Sequence, residues 1–136
     1  MAEPIESRDE MVAQMAPRLD PTAYCFMIVT PDIAPQALGR AIGTFREDEG
    51  VTAIVPEPLA RELGEVGPAF ARISLMVRSS LTGFGLTAAV SSALAEHGIA
   101  CNMVAAYYHD HAFVPGGDGA RAVAILEELS RSGSHC

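Results

Sequence analysis

From residue 69 onward the apolar residues switch back and forth between a period of two and a period near 3.6, and that succession leaves few folds open. Ala69 to Arg78 alternates, with Phe70, Arg72, Ser74, Met76 and Arg78 on one parity and Ile73, Leu75 and Val77 on the other, as in a strand. Ser79 to Gly85 is a turn of small residues. From about Phe84 to His97 the spacing predicts a helix with Leu86, Ala89, Val90, Ala93 and Leu94 on one stripe and Gly98 just past its end. Ile99–Tyr108 and His111–Pro115 read as two strands joined at His109-Asp110. Gly116-Gly117 reads as a hinge and Asp118 as the N-cap of a last helix, with Ala122, Ile125, Leu126 and Leu129 at helical spacing. The order β-α-β-β-α is an α+β, ferredoxin-like βαββαβ unit short of its final strand.

Candidates for the missing strand lie in the first half. Ser7-Arg8-Asp9-Glu10 has the form of a capping box and is followed by Met11, Val12 and Met15, which predicts a short helix over about 7–16, ended by Pro17 and Pro21. Ala23–Thr30 is a continuous apolar run closed by Pro31 and suits a buried strand. Residues 31–43 read equally as loop or short helix. Phe45 to Gly50 reads as a charged turn, Val51–Val55 as a β-branched strand, and Pro56-Glu57-Pro58 as the start of a brief helix ending at Gly64. Gly50–Val55 matches Gly85–Val90 in four of six places, but one copy falls on a predicted strand and the other on a helix.

Composition narrows the function. A chain of 136 residues holds one ordinary domain or two very small ones, and 49% hydrophobic content is high for a small monomer, so association with another copy is expected. Nine basic residues against 17 acidic ones give a net charge of -8, which excludes binding driven by nucleic-acid phosphates or by an anionic membrane. All the basic residues are arginines, so Schiff-base lysine chemistry and the lysine of a phosphate-binding P-loop are excluded too. Cys25, Cys101 and Cys136 are far apart and form no CxxC, which points to a reducing compartment without a disulfide framework or zinc-cysteine site. The opening MAEPIESRDE has no secretory pattern, and apolar runs of about seven residues fall far short of a membrane span, so a cytoplasmic protein is expected.

Two stretches carry chemistry. The first is Ser80, Leu81, Thr82, Gly83, Phe84, Gly85, Leu86 and Thr87, between a strand and a helix start. Unpaired N–H groups and partial positive charge at a helix start attract a carboxylate or phosphate, and glycines let it approach the backbone. The other reading is a plain strand–helix turn with Ser80 or Thr82 as N-cap. The second stretch is Tyr107-Tyr108-His109-Asp110-His111. It is a polar hairpin tip, a ligand or interface contact, or two ligands of a divalent metal whose third ligand is not evident. Asn102 is an amide in an otherwise apolar run and needs partners, either a ligand or neighbouring backbone. Cys101 reads as an inert buried thiol, and His97 as easing the carbonyls at a helix end.

Residues 79–115, SSLTGFGLTAAVSSALAEHGIACNMVAAYYHDHAFVP, resemble a family of small bacterial ACT-domain proteins that share an SSL-x-x-x-GLTA…GI-x-CN-x-V-A-x-YYHDH-x-FVP signature. Phe45-Arg46 through Gly50 and Thr52 resembles the N-terminal half of the same family, so the likeness covers roughly residues 20 to 130. The resemblance implies a pair of ferredoxin-like ACT units with an exchanged strand, which would supply the missing one. The implied division is an N-terminal helical extension over 1–19, a partial N-terminal unit over 20–67, an ACT domain over 68–132 and a frayed tail over 133–136. ACT domains bind amino acids between units, with the ligand's carboxylate at the first strand–helix turn. Here that turn is Ser80 to Thr87, with Asn102 near its opening. His109, Asp110 and His111 match the family motif without a role attached to them, and Gly116-Gly117-Asp118-Gly119 makes a flexible connection.

The expected function is therefore a non-enzymatic regulatory module, a homodimer or larger, which binds a small ligand, an amino acid, without cofactor or metal. Nothing in the sequence names the protein that such a module would regulate. One alternative is a structural or partner-docking protein with a vestigial site. Another is a small metal-dependent enzyme using His109 and His111.

Overall fold

The computed structural model describes residues 4, 5 and 7–133. In chain order the elements are α1 (Arg8–Ala13), β1 (Pro17–Val29), α2 (Ala34–Arg40), β2 (Gly43–Glu47), β3 (Gly50–Pro56), α3 (Glu57–Glu62), β4 (Phe70–Leu75), α4 (Leu86–Glu96), β5 (Asn102–Ala105), β6 (Asp110–Pro115) and α5 (Gly119–Gly133). They divide into two compact units, residues 21–70 and residues from Ala71 onward together with those up to Asp20.

In the N-terminal unit the strand order is β2-β3-β1, with antiparallel neighbours. Cys25, Met27, Ala53 and Val55 form one buried layer with Ala37 of α2 and Leu59 and Ala60 of α3. The opposite face carries a row in which Phe45 and Ile28 flank Thr52, and both apolar side chains are exposed. The segment expected to be a charged turn is mostly strand. Phe45, Arg46 and Glu47 belong to β2, only Asp48-Glu49 turn, and Thr52 Oγ1 donates to Glu47 at 2.8 Å. Water on one side of the ribbon makes charge affordable there. Residues 31–43 resolve into α2 and the approach to β2, and β1 starts at Pro17 rather than Ala23.

In the C-terminal unit the order is β1-β4-β6-β5, with the residues of β1 up to Asp20 in the place of the missing last strand. The strand comes from the N-terminal side of the chain, ahead of the other unit. Asp20 Oδ2 accepts from Arg72 Nη2 at 2.7 Å and Nε at 3.2 Å, which fixes β1 against β4. The helices α1, α4 and α5 pack on one another over Ile73, Leu75, Ala112 and Val114, with Met11, Val12, Leu86, Val90, Leu94 and Leu126 completing the core. Ser7 caps α1 through a long contact to the Glu10 N–H (3.5 Å). Residue 5 adds a parallel bridge, its N–H donating to Arg78 O (2.8 Å) and its carbonyl accepting from Ser80 N (2.9 Å).

Several local expectations change. The second strand shrinks to Asn102–Ala105, and the chain turns over Ala106 to His109, so Asp110 joins the expected strand from His111 and opens β6 instead of standing at a hairpin tip. Gly116, Gly117 and Asp118 wind into a 3-10 turn, not a hinge, and Asp118 pairs with Arg121 at 3.6 Å. Gly119 is tightly packed: a Cβ there would lie 3.1 Å from both Ala71 Cβ and Leu19 Cδ1, so those neighbours would have to give way slightly. Gly133 is still helical, and the rest of the expected frayed tail lies outside the described residues. No helix among the described residues is long and apolar enough to cross a membrane.

Candidate functional site

The strand–helix turn of the C-terminal unit encloses a cavity of about 180 Å³. Ser79, Ser80, Leu81, Gly83, Phe84 and Gly85 supply its turn side, and Leu86 and Thr87 at the start of α4 supply its end. Ala105 closes it from β5, Asp110 from β6 and Met11 from α1. Every expected residue from Ser80 to Thr87 except Thr82 is therefore in the lining. Thr82 acts one step back, its Oγ1 hydrogen-bonded to Ser80 Oγ at 2.9 Å while its N–H donates to the same oxygen at 3.1 Å.

The α4 start is built to stay open. Its N-cap is Gly85, at φ +107°, a backbone that side-chain-bearing residues rarely adopt, and no side chain caps the helix. Ser80 and Thr82 are thus not the N-caps that a plain turn would use. The first helical bond runs from Ala89 N to Gly85 O, so the N–H groups of the first turn have no partner within the helix. No acidic residue stands in that turn. Across the cavity, Asp110 accepts from Ser79 Oγ at 3.2 Å through Oδ2. Partial positive charge on one wall and a carboxylate on another give the cavity two electrostatic ends.

The other nominated residues lie elsewhere. Asn102 is exposed, opposite Phe113 at the far end of β5 from Ala105, so it is neither a buried amide nor part of the lining. His111 is turned to Ser74, with Nδ1 and Oγ 2.8 Å apart in a hydrogen bond. Burial pushes the His111 imidazole below its ordinary value, Arg72 and His109 push the same way, and Asp110 opposes them. His109 Nδ1 is buried and has no hydrogen-bond partner among the described residues. No group of three or more His, Cys, Asp or Glu among those residues is placed to hold a metal ion. Burial pushes the Cys101 thiol up, and does the same to Cys25, where Glu57 and Glu65 add to the effect and Arg61 opposes it. His97 does face the helix end, its Nδ1 2.9 Å from Ala93 O.

Two lining residues escape sequence reasoning. Ala105 and Met11 carry no polar signal and reach the cavity only through the fold. Around the same turns stand exposed apolar side chains: Leu81, Phe84 (85% exposed), Tyr107 and Tyr108. The Tyr107 and Tyr108 rings meet edge-on at 5.0 Å, and the Arg78 guanidinium lies 5.4 Å over the Tyr108 ring.

Comparison with known proteins places the fold. Residues 4–66 match one family model for the ACT domain and residues 70–128 match another. Among solved structures, a Vibrio cholerae protein of unknown function, described as a possible transport protein, is 40% identical. The match covers 86% of this chain and 91% of that one, with a TM-score of 0.76. An Agrobacterium tumefaciens protein is 17% identical over 84% of this chain and 87% of its own, with a TM-score of 0.68. The regulatory subunit of aspartate kinase from Thermus thermophilus is 14% identical over 86% and 97%, with a TM-score of 0.61, a likeness of fold. Among curated proteins none matches.

Proposed function

This chain belongs to the ACT-domain family, with one match in each half, and we propose that it is a non-enzymatic regulatory module whose ligand is an amino acid. The observation that carries the reading is the pair of opposite electrostatic ends in one small cavity. A zwitterion sets its carboxylate against the open first turn of α4, where Gly83 and Gly85 keep side chains out of the way, and its ammonium against Asp110. The same wall arrangement disfavours a plain dianion, which would meet the Asp110 carboxylate, and a plain amine, which would leave the helix start empty.

The exposed Leu81, Phe84, Tyr107 and Tyr108 support the further part of the proposal, that the protein works as a homodimer or larger assembly. They equally favour a second reading, docking on a partner protein with the cavity vestigial. Cys25 and Cys101 are free thiols, which fits a cytoplasmic location.

The deciding experiment is thermal unfolding of the untagged chain against the twenty amino acids, repeated with chelator. Ligand at a hundred times its dissociation constant adds about 2.7 kcal/mol to the folded state. A selective upward shift with one or two amino acids is expected. A flat panel would favour the docking reading, and a shift with chelator alone would point to a metal.

A further inference from the structure

We infer that Met11, carried in by the N-terminal segment, is the residue that sets which amino-acid side chain the cavity accepts; this rests on the ligand reading above. Among the described residues Met11 alone lines the cavity from outside the turn, the α4 start and the β5–β6 pair, and at 1% exposure it is the packed floor beneath it. With the polar ends of the ligand assigned to the α4 start and Asp110, the apolar lining of Leu81, Phe84 and Leu86 over the Met11 floor is left to face the ligand's own side chain. The bulk of Met11 sets how deep that space is. An unbranched thioether makes such a floor deformable without leaving a void.

The segment that delivers Met11 is tied to the same turn at two further points. Residue 5 holds the backbone on both sides of Ser79, through Arg78 O and Ser80 N. The stem of Arg8 lies over Gly85 so closely that a Cβ there would come within 2.8 Å of Arg8 Cγ. Helix α1 also packs on α4, whose first turn ends the cavity. Met11 is thus held at fixed range from the groups that would grip the ligand's backbone, and the volume left over limits the ligand to a side chain smaller than the space a shorter residue at 11 would open.

The test is calorimetric titration of the unaltered chain, Met11→Ala and Met11→Leu with each of the twenty amino acids. Met11→Ala is expected to move preference toward a larger apolar amino acid by about tenfold or more relative to the ligand preferred before, the scale on which hydrophobic pockets discriminate single methylenes. Met11→Leu keeps the volume and is expected to keep the ranking. Should Met11→Ala fail to fold, Met11→Val carries the same test. A folded small-residue variant that ranks the amino acids as the unaltered chain does overturns the inference and leaves the ligand reading standing. Absence of binding by the unaltered chain overturns both.

Discussion

Each unit contains a strand that runs into a helix, and the two connections differ in kind. In the N-terminal unit β1 reaches α2 through Thr30-Pro31-Asp32-Ile33, a tight turn in which Thr30 Oγ1 donates to Asp32 Oδ1 and Ile33 N to Thr30 O. The helix that follows has seven residues and a proline in its first turn, which removes one of the N–H groups an anion would seek. In the C-terminal unit residues 76–85 separate β4 from an eleven-residue helix that starts on an uncapped glycine, with no proline in its first turn. One connection satisfies itself, and the other leaves donors and a cavity. The proposed capacity to hold a ligand therefore rests on the turn and not on the fold that both units share.

The strongest way to break this contrast is at Gly85. Gly85→Val puts a β-branched residue at φ +107° and drives its Cβ into Arg8, so amino-acid binding should be lost and the unfolding midpoint lowered. Gly64→Ala in the N-terminal unit, at φ +93° with open space around it, is the matched control. It should cost about 1–2 kcal/mol of stability, read by denaturant unfolding, and leave binding untouched. Binding that survives Gly85→Val would remove the α4 start from the site.

Asp110→Asn sharpens the comparison with a smaller effect. The amide keeps the shape and an oxygen for Ser79 but loses the charge, so amino-acid affinity should fall by about tenfold or more while stability barely moves. Equal affinity for an amino acid and the matching carboxylic acid without an amine would show that Asp110 does not read the ammonium.

The sequence foretold the turn well and its surroundings poorly. Ser80 to Thr87 could be named because glycines between a strand and a helix have a local physical meaning. Asn102 misled because apolar neighbours in sequence suggest burial, whereas β5 leaves its side chain in water. The strand β2 was hidden by Arg46 and Glu47, since exposed side chains erase the alternation that marks a strand. No local pattern announces that Met11 belongs beside Leu86 and Ala105, because only packing brings them together.

Two milder perturbations test the C-terminal unit away from the cavity. The imidazole of His111 is harder to protonate in the folded chain than in the unfolded one, where its value is about 6.5. Between that value and the lower folded one the unfolded state binds more protons, so stability should hold above about pH 6.5 and fall as pH drops below it. His111→Gln should flatten that part of the profile when midpoints are measured from pH 7.5 to 5. The smallest effect is expected from Ser7→Ala, which removes a stretched cap and should cost about 0.5 kcal/mol, the low end for such caps.

The strand that completes the C-terminal unit also governs when that unit can exist. Asp20 waits 52 residues for Arg72, and the Ala13 carbonyl waits 117 for Ser130 Oγ. During synthesis α1 and the start of β1 are made before every partner that buries them: Arg72 on β4 comes first, then α4, and α5 last. Such distant closures make for slow assembly, and they leave Met11, Val12 and Met15 exposed to holdase chaperones in the interval. A fragment opening at residue 68 would be born without its fourth strand and without α1. The unit is in effect circularly permuted: the strand that completes it is translated before the rest of it, and its cavity cannot form until Asp110 has followed Met11 out of the ribosome.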